Sequence, residues 1–143
     1  MINSEYKKYV YFRGVSDEDN DDGHGNSITI KVSDITGILP GDASGVAADD
    51  DNRLTILFNT NKKYPNSWAT TPNSFIHLKG CVKLELKEAG VFKETMRDLV
   101  EAFNGRARDN WLVIADDMSE SSKGILPTYI SKHISSVNAI KAN

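Results

Sequence analysis

Between Phe75 and Phe103 the period of the apolar residues changes once, from two to 3.6, and this limits the chain to strands gathered around one helix. Ile76, Leu78, Gly80, Val82, Leu84 and Leu86 share one parity, whereas Phe75, His77, Lys79, Cys81, Lys83, Glu85 and Lys87 share the other. The spacing predicts a long strand over 75–87 with the first set facing a core, and Gly80 marking a bend or bulge on that face. Phe92, Met96, Leu99 and Phe103 then fall at i, i+4, i+7 and i+11, with Val100 widening the stripe. Lys93, Glu94, Arg97, Asp98 and Glu101 take the opposite side of this amphipathic helix, and Asn104-Gly105 offers it a left-handed stop.

The other apolar runs are short and alternate. Tyr6 to Arg13 sets Tyr9, Tyr11 and Arg13 against Val10 and Phe12. Ile28, Ile30 and Val32 alternate with Thr29 and Lys31, and the strand resumes after a bend as Ile35 to Leu39, ended by the turn chemistry of Pro40-Gly41-Asp42. In Arg53 to Thr60, Leu54, Ile56 and Phe58 face inward against Thr55, Leu57 and Asn59. Asn61 to Asn73 reads as a long polar loop. Trp111 to Ala115 is nearly all apolar and reads as a central strand closed by Asp116-Asp117, with a last strand near Ser135 to Ile140. Five or six strands and one helix predict a mainly β, α+β domain, a small barrel or strongly bent sheet capped by the helix.

A chain of 143 residues suits a single domain, residues 1–143, and 39% hydrophobic with 26% charged residues is ordinary globular usage. No apolar run approaches the roughly 20 residues that span a bilayer, and the opening Met-Ile-Asn-Ser-Glu-Tyr lacks the apolar core of a secretory signal. The expected location is the cytoplasm, or a particle assembled there. The lone Cys81 excludes a disulfide within the chain and reads as a small buried apolar residue. A net charge of -3 is opposite to that of most nucleic-acid binders and restricts any phosphate contact to a local patch.

Few residues suggest chemistry. The acidic run holding Asp17, Asp19, Asp21 and Asp22 resembles a calcium loop in composition, but its register fails. Counting from Asp17 puts Asp22 where glycine is required, and counting from Glu18 puts Thr29 where the bidentate glutamate belongs. Weak calcium binding to those four aspartates is the metal expectation, against a solvated loop. His24, His77 and His133 share no ligand spacing, and Asp116-Asp117 at a strand end lacks a partner base. No cofactor is implied, and the chain is expected not to be an enzyme. The nucleic-acid candidate is the basic and aromatic segment with Lys62, Lys63, Tyr64 and Trp68, extended by Arg106 and Arg108 beyond the helix. The competing reading is a solvated loop whose Trp68 folds back on the domain or against a neighbouring subunit.

Three stretches carry a family resemblance: Lys8-Tyr9-Val10-Tyr11-Phe12-Arg13-Gly14, Met96-Arg97-Asp98-Leu99-Val100-Glu101-Ala102 and Trp111-Leu112-Val113-Ile114-Ala115-Asp116-Asp117. In this order they resemble a family of small marine phage proteins, cyanophage-like, and Ile134-Ser135-Ser136-Val137 looks similar too. The resemblance implies an Sm-like β-barrel and assembly of identical subunits into a ring. Its first functional implication is a structural or assembly protein of the virion, with itself and other phage structural proteins as partners. The alternative is an Sm-like nucleic-acid-binding ring in the cytoplasm of the infected bacterial host. No binding residue transfers through the resemblance, because no Sm RNA-binding signature aligns.

Overall fold

The computed structural model describes residues 8–17, 19, 25–41, 52–63, 77–105 and 110–141. Their order is β1 (Tyr9–Arg13), β2 (Ser27–Lys31), β3 (Ile35–Pro40), β4 (Arg53–Lys63), β5 (His77–Leu86), α1 (Phe92–Asn104), β6 (Trp111–Asp116), β7 (Thr128–Tyr129) and β8 (Ile134–Lys141). The described residues thus hold eight strands rather than the five or six expected. The additions are two-residue β7 and the separation of β2 from β3 by a 3-10 turn at Val32–Asp34, places where a short period carries little signal.

The strands form two four-stranded sheets, ordered β2-β1-β6-β7 and β3-β4-β5-β8. The chain passes from one sheet to the other three times, between β2 and β3, between β5 and β6 through α1, and between β7 and β8; the first and last of these are corners between edge strands. The strand order therefore runs around a common core, but among the described residues no ladder joins the sheets at either corner, so of the small barrel or strongly bent sheet expected, no closed barrel is found. Within the first sheet β1 pairs antiparallel with β2 and parallel with β6. Every pairing of the second sheet is antiparallel.

Alternation puts Val10, Phe12, Ile30 and Ile114 of the first sheet against Leu54, Ile56, Phe58, Val82, Leu84, Leu86, Ile134, Val137 and Ile140 of the second, all buried in one cluster. Each fully buried side chain of this size contributes roughly 1.5–3 kcal/mol. Thr55 departs from the parity reading: it is buried, and its hydroxyl donates to the Gly41 carbonyl at 2.8 Å. Cys81 departs in the other direction, half-buried on the outward parity rather than in the core.

Gly80 does not mark a bulge. It keeps register with Phe58, while the irregularity of the β4–β5 ladder begins one pair away, past Asn59 and Lys79, and those against β8 lie between Lys83 and Leu84 and between Glu85 and Leu86. Gly80 instead pairs with Phe58 and makes room for its ring, since a Cβ there would stand 2.3 Å from the ring carbons.

Helix α1 buries Thr95, Leu99 and Phe103, with Phe92, Met96 and Ala102 half-buried against the same core. The stripe widens toward Thr95 and Ala102, leaving Val100 exposed. Contacts at its middle and at its C-terminal end fix its position. The Ser131 hydroxyl donates to the Asp98 carboxylate at 2.7 Å near the start of β8, and Lys8 Nζ, just before β1, reaches the Ala102 and Gly105 carbonyls at 3.0 and 2.7 Å. The helix thus lies over the end of the core where β1 begins and β5 finishes. Gly105 is not the expected left-handed stop: it is extended at φ -64 and ψ 154. The Lys8 ammonium takes the terminal carbonyls that a left-handed turn would otherwise satisfy. Among the described residues no helix is long and apolar enough to cross a membrane.

Candidate functional site

The pairing of β1 with β2 and β6 collects aromatic side chains on the outer face of the first sheet. Val10 and Phe12 fill the core, so Tyr9 and Tyr11 point away from it. Lys31 and Trp111 lie opposite Tyr9, and Thr29 and Val113 lie opposite Tyr11. The Tyr11 and Trp111 rings are 5.0 Å apart, tilted by 44°, within the range of favourable aromatic contacts. The Trp111 indole N–H donates to the Thr29 hydroxyl at 3.2 Å, yet the residue is 49% exposed. The result is an aromatic surface held in place by one hydrogen bond and open to water.

The far end of the same sheet is polar. Arg13 shares the parity of Tyr9 and Tyr11 but is only 4% exposed. Its Nε donates to the Val15 carbonyl at 3.1 Å, another guanidinium nitrogen donates to the Asp17 carbonyl, and the Asp116 carboxylate lies 3.9 Å away. Asp116 also accepts the Met118 N–H at 2.9 Å. Asp117 accepts the Tyr129 phenol at 2.6 Å and the Val137 N–H at 3.0 Å, linking the first sheet to β8 of the second. Burial pushes the Asp117 carboxyl above its ordinary value against the opposing effect of these two hydrogen bonds, and the charge of Asp116 adds to the rise. Burial, followed by the hydrogen bond to Asp117 and the charges of Asp117 and Asp116, holds Tyr129 above the usual phenol range. These bonds make the aspartate pair a structural junction.

The residues singled out from sequence fall differently. Lys62 and Lys63 are not loop residues: the backbone of β4 runs through both, and Lys63 pairs with His77 of β5. Extended residues on both strands allow the ladder to resume after the irregularity between Asn59 and Lys63. Tyr64, Trp68, Arg106 and Arg108 lie outside the described residues, as do Asp21 and Asp22 of the acidic run. Asp17 and Asp19 are exposed, and the Asp17 carbonyl is taken by Arg13. Among the described residues no group of three or more His, Cys, Asp or Glu could hold a metal ion.

Sequence reasoning missed Trp111 as a functional candidate. Alternation already placed Tyr9 and Tyr11 on one face of β1, but the pairing that brings Trp111 beside Tyr11 is parallel and joins residues about a hundred positions apart. No protein-family model, curated protein sequence or solved structure matches the chain.

Proposed function

We propose that this chain is a non-enzymatic assembly protein of phage origin, working as a homo-oligomer and carried in the virion. The observation that carries the reading is the edge at β7. Leu126 is 77% exposed and Ile130 is 40% exposed on either side of this two-residue strand, and β7 closes the order of its sheet. The segment Leu126-Pro127-Thr128-Tyr129-Ile130 carries no charge. The shortness of β7 and Pro127 limit ladder pairing at this edge, so contact with another copy would run through the exposed Leu126 and Ile130 side chains, which no charge protects. A strand order running around one core, open at two corners, is compatible with a variant of the Sm-like small barrel, and contact between copies would turn such units into a ring.

Light scattering of the purified chain tests the assembly. The wild type is expected to be oligomeric, and Leu126→Asp with Ile130→Asp is expected to be monomeric with an unchanged circular dichroism spectrum. A wild type that stays monomeric at high concentration rejects the proposal. Mass spectrometry of purified particles tests the virion assignment, which fails if the chain is missing from them.

A second reading, an Sm-like nucleic-acid-binding ring in the infected-cell cytoplasm, is favoured by the aromatic outer face of β1 and β6. It needs stacking surfaces and a local cation despite a net charge of -3, and that face offers both.

A further inference from the structure

We propose that the outer face of the first sheet is a stacking platform for single-stranded nucleic acid. Tyr11 and Trp111 each receive a base, and Lys31, opposite Tyr9 on β2, meets the backbone beside them. This rests on the second reading above and moves its site away from the segment around Lys62.

Three observations carry the assignment. The first is that the Trp111 ring is half in water at 49% exposure, although an aromatic side chain of its size gains most by burial. The second is preorganisation. The indole is tied to Thr29 at 3.2 Å and set against Tyr11 at 5.0 Å, so a base landing on it loses little ring freedom. The third is charge. Tyr9, Tyr11, Thr29, Lys31, Trp111 and Val113 include one cation and no carboxylate, although acidic residues outnumber basic ones in the whole chain, 20 to 17. The Asp116 carboxylate, at the far end of the sheet, lies 3.9 Å from Arg13, so the end of the face around Lys31 can meet a phosphate.

The dimensions fit a short strand of nucleotides. Tyr9 and Tyr11 are two residues apart on β1, a spacing of about 7 Å, and the neighbouring strands lie about 4.8 Å to either side. Open sheets with aromatics at such positions accommodate two or three unpaired bases. A duplex hides its base faces, so it has no use for these rings. One lysine gives a shallow dependence on salt, with log K falling by about 0.7 per decade for a single phosphate contact to a single strand.

Fluorescence anisotropy of a labelled oligothymidine, titrated with the full chain at low salt, tests the platform. Trp111→Ala and Tyr11→Ala are each expected to weaken binding at least fivefold, and Trp111→Phe to retain most of it. Lys31→Ala should flatten the salt dependence, and duplex DNA of the same length should not compete. Thermal melting of each variant separates lost binding from lost folding; the half-exposed Trp111 and its phenylalanine replacement keep the test open if Tyr11→Ala unfolds. Wild-type binding that survives Trp111→Ala and instead disappears with Lys62→Ala and Lys63→Ala overturns the platform while leaving nucleic-acid binding intact. Absence of wild-type binding overturns both. If Trp111→Ala dissociates an oligomer that binds no oligonucleotide, the face belongs to a second copy and the platform is rejected.

Discussion

The phenol of Tyr129 donates a 2.6 Å hydrogen bond to Asp117, whose carboxylate also accepts the Val137 N–H at 3.0 and 3.2 Å. One side chain thus ties β7 and the end of β6 to β8, where among the described residues no ladder joins the two sheets. Asp117→Ala leaves both donors short of a partner and is expected to cost about 2 kcal/mol in urea unfolding. Tyr129→Phe removes one bond and leaves the Val137 contact, so its cost is expected to be about half as large.

The same carboxylate makes a signed contribution to stability against pH. Burial raises its pKa above the ordinary 3.8, so between the two values the folded chain holds a proton that the unfolded chain has released. The stabilisation from this group is complete below the unfolded value and is lost as pH rises through the folded one. Asp117→Asn keeps an acceptor for Val137 and removes the buried charge. Its stability relative to wild type is expected to be highest near neutral pH and to fall on acidification toward about pH 4. Paired denaturation curves measure this difference, and an opposite slope rejects the assignment.

Arg13 calls for a separate test because its charge is buried. Replacement by methionine strands the Val15 and Asp17 carbonyls and leaves Asp116 without this cation, with an expected loss of about 3 kcal/mol. Lysine lacks the planar fork that serves several acceptors, so Arg13→Lys is expected to recover less than half of that loss. Equilibrium unfolding gives both values, and a lysine variant as stable as wild type would show that charge alone suffices.

Faces were legible in the sequence, and partners were not. Alternation identified Leu54, Ile56 and Phe58, and Val82, Leu84 and Leu86 as core residues and grouped Val10 with Phe12 on the face that proves to be buried, and the 3.6 period located α1 to within one residue. Periodicity records which side of a strand meets apolar surroundings, but it contains nothing about which strand lies alongside. The parallel pairing of β1 with β6 therefore stayed hidden, and with it the approach of Trp111 to Tyr11. Arg13 was misleading for a related reason: an arginine on an outward parity normally reaches water, and here the turn beyond β1 folds over it and supplies its acceptors. Lys8 as the cap of a helix 94 residues away had no local signal at all.

Gly80 is expected to tolerate no side chain while Phe58 keeps its ring. A Cβ would meet two ring carbons at 2.3 Å and the Lys141 carbonyl at 2.9 Å, and Phe58 is itself buried. Gly80→Ala should therefore lower stability by about 2 kcal/mol through overpacking. Adding Phe58→Leu removes the ring from the same space, so the double variant should be more stable than the sum of the two single losses predicts. Additive losses in a double-mutant cycle would show that the Lys141 carbonyl, rather than the ring, sets the requirement.

Lys8 provides a test of how the helix is held over the core. Its ammonium bonds the Ala102 and Gly105 carbonyls at 3.0 and 2.7 Å, at the negative end of the helix dipole. Lys8→Met preserves most of the stem and removes the charge, with an expected loss of about 1 kcal/mol because the site is partly in water. The loss should shrink as salt rises, which a purely apolar packing defect would not do. Hydrogen exchange locates the effect. If Lys8 anchors the C-terminal turn, protection should fall at Phe103 and Asn104 before it falls at Thr95, whose N–H bonds Val91 at 3.0 Å at the far end of the helix. Equal loss along the whole of α1 would instead mean that Lys8 stabilises the docking of the helix as a unit.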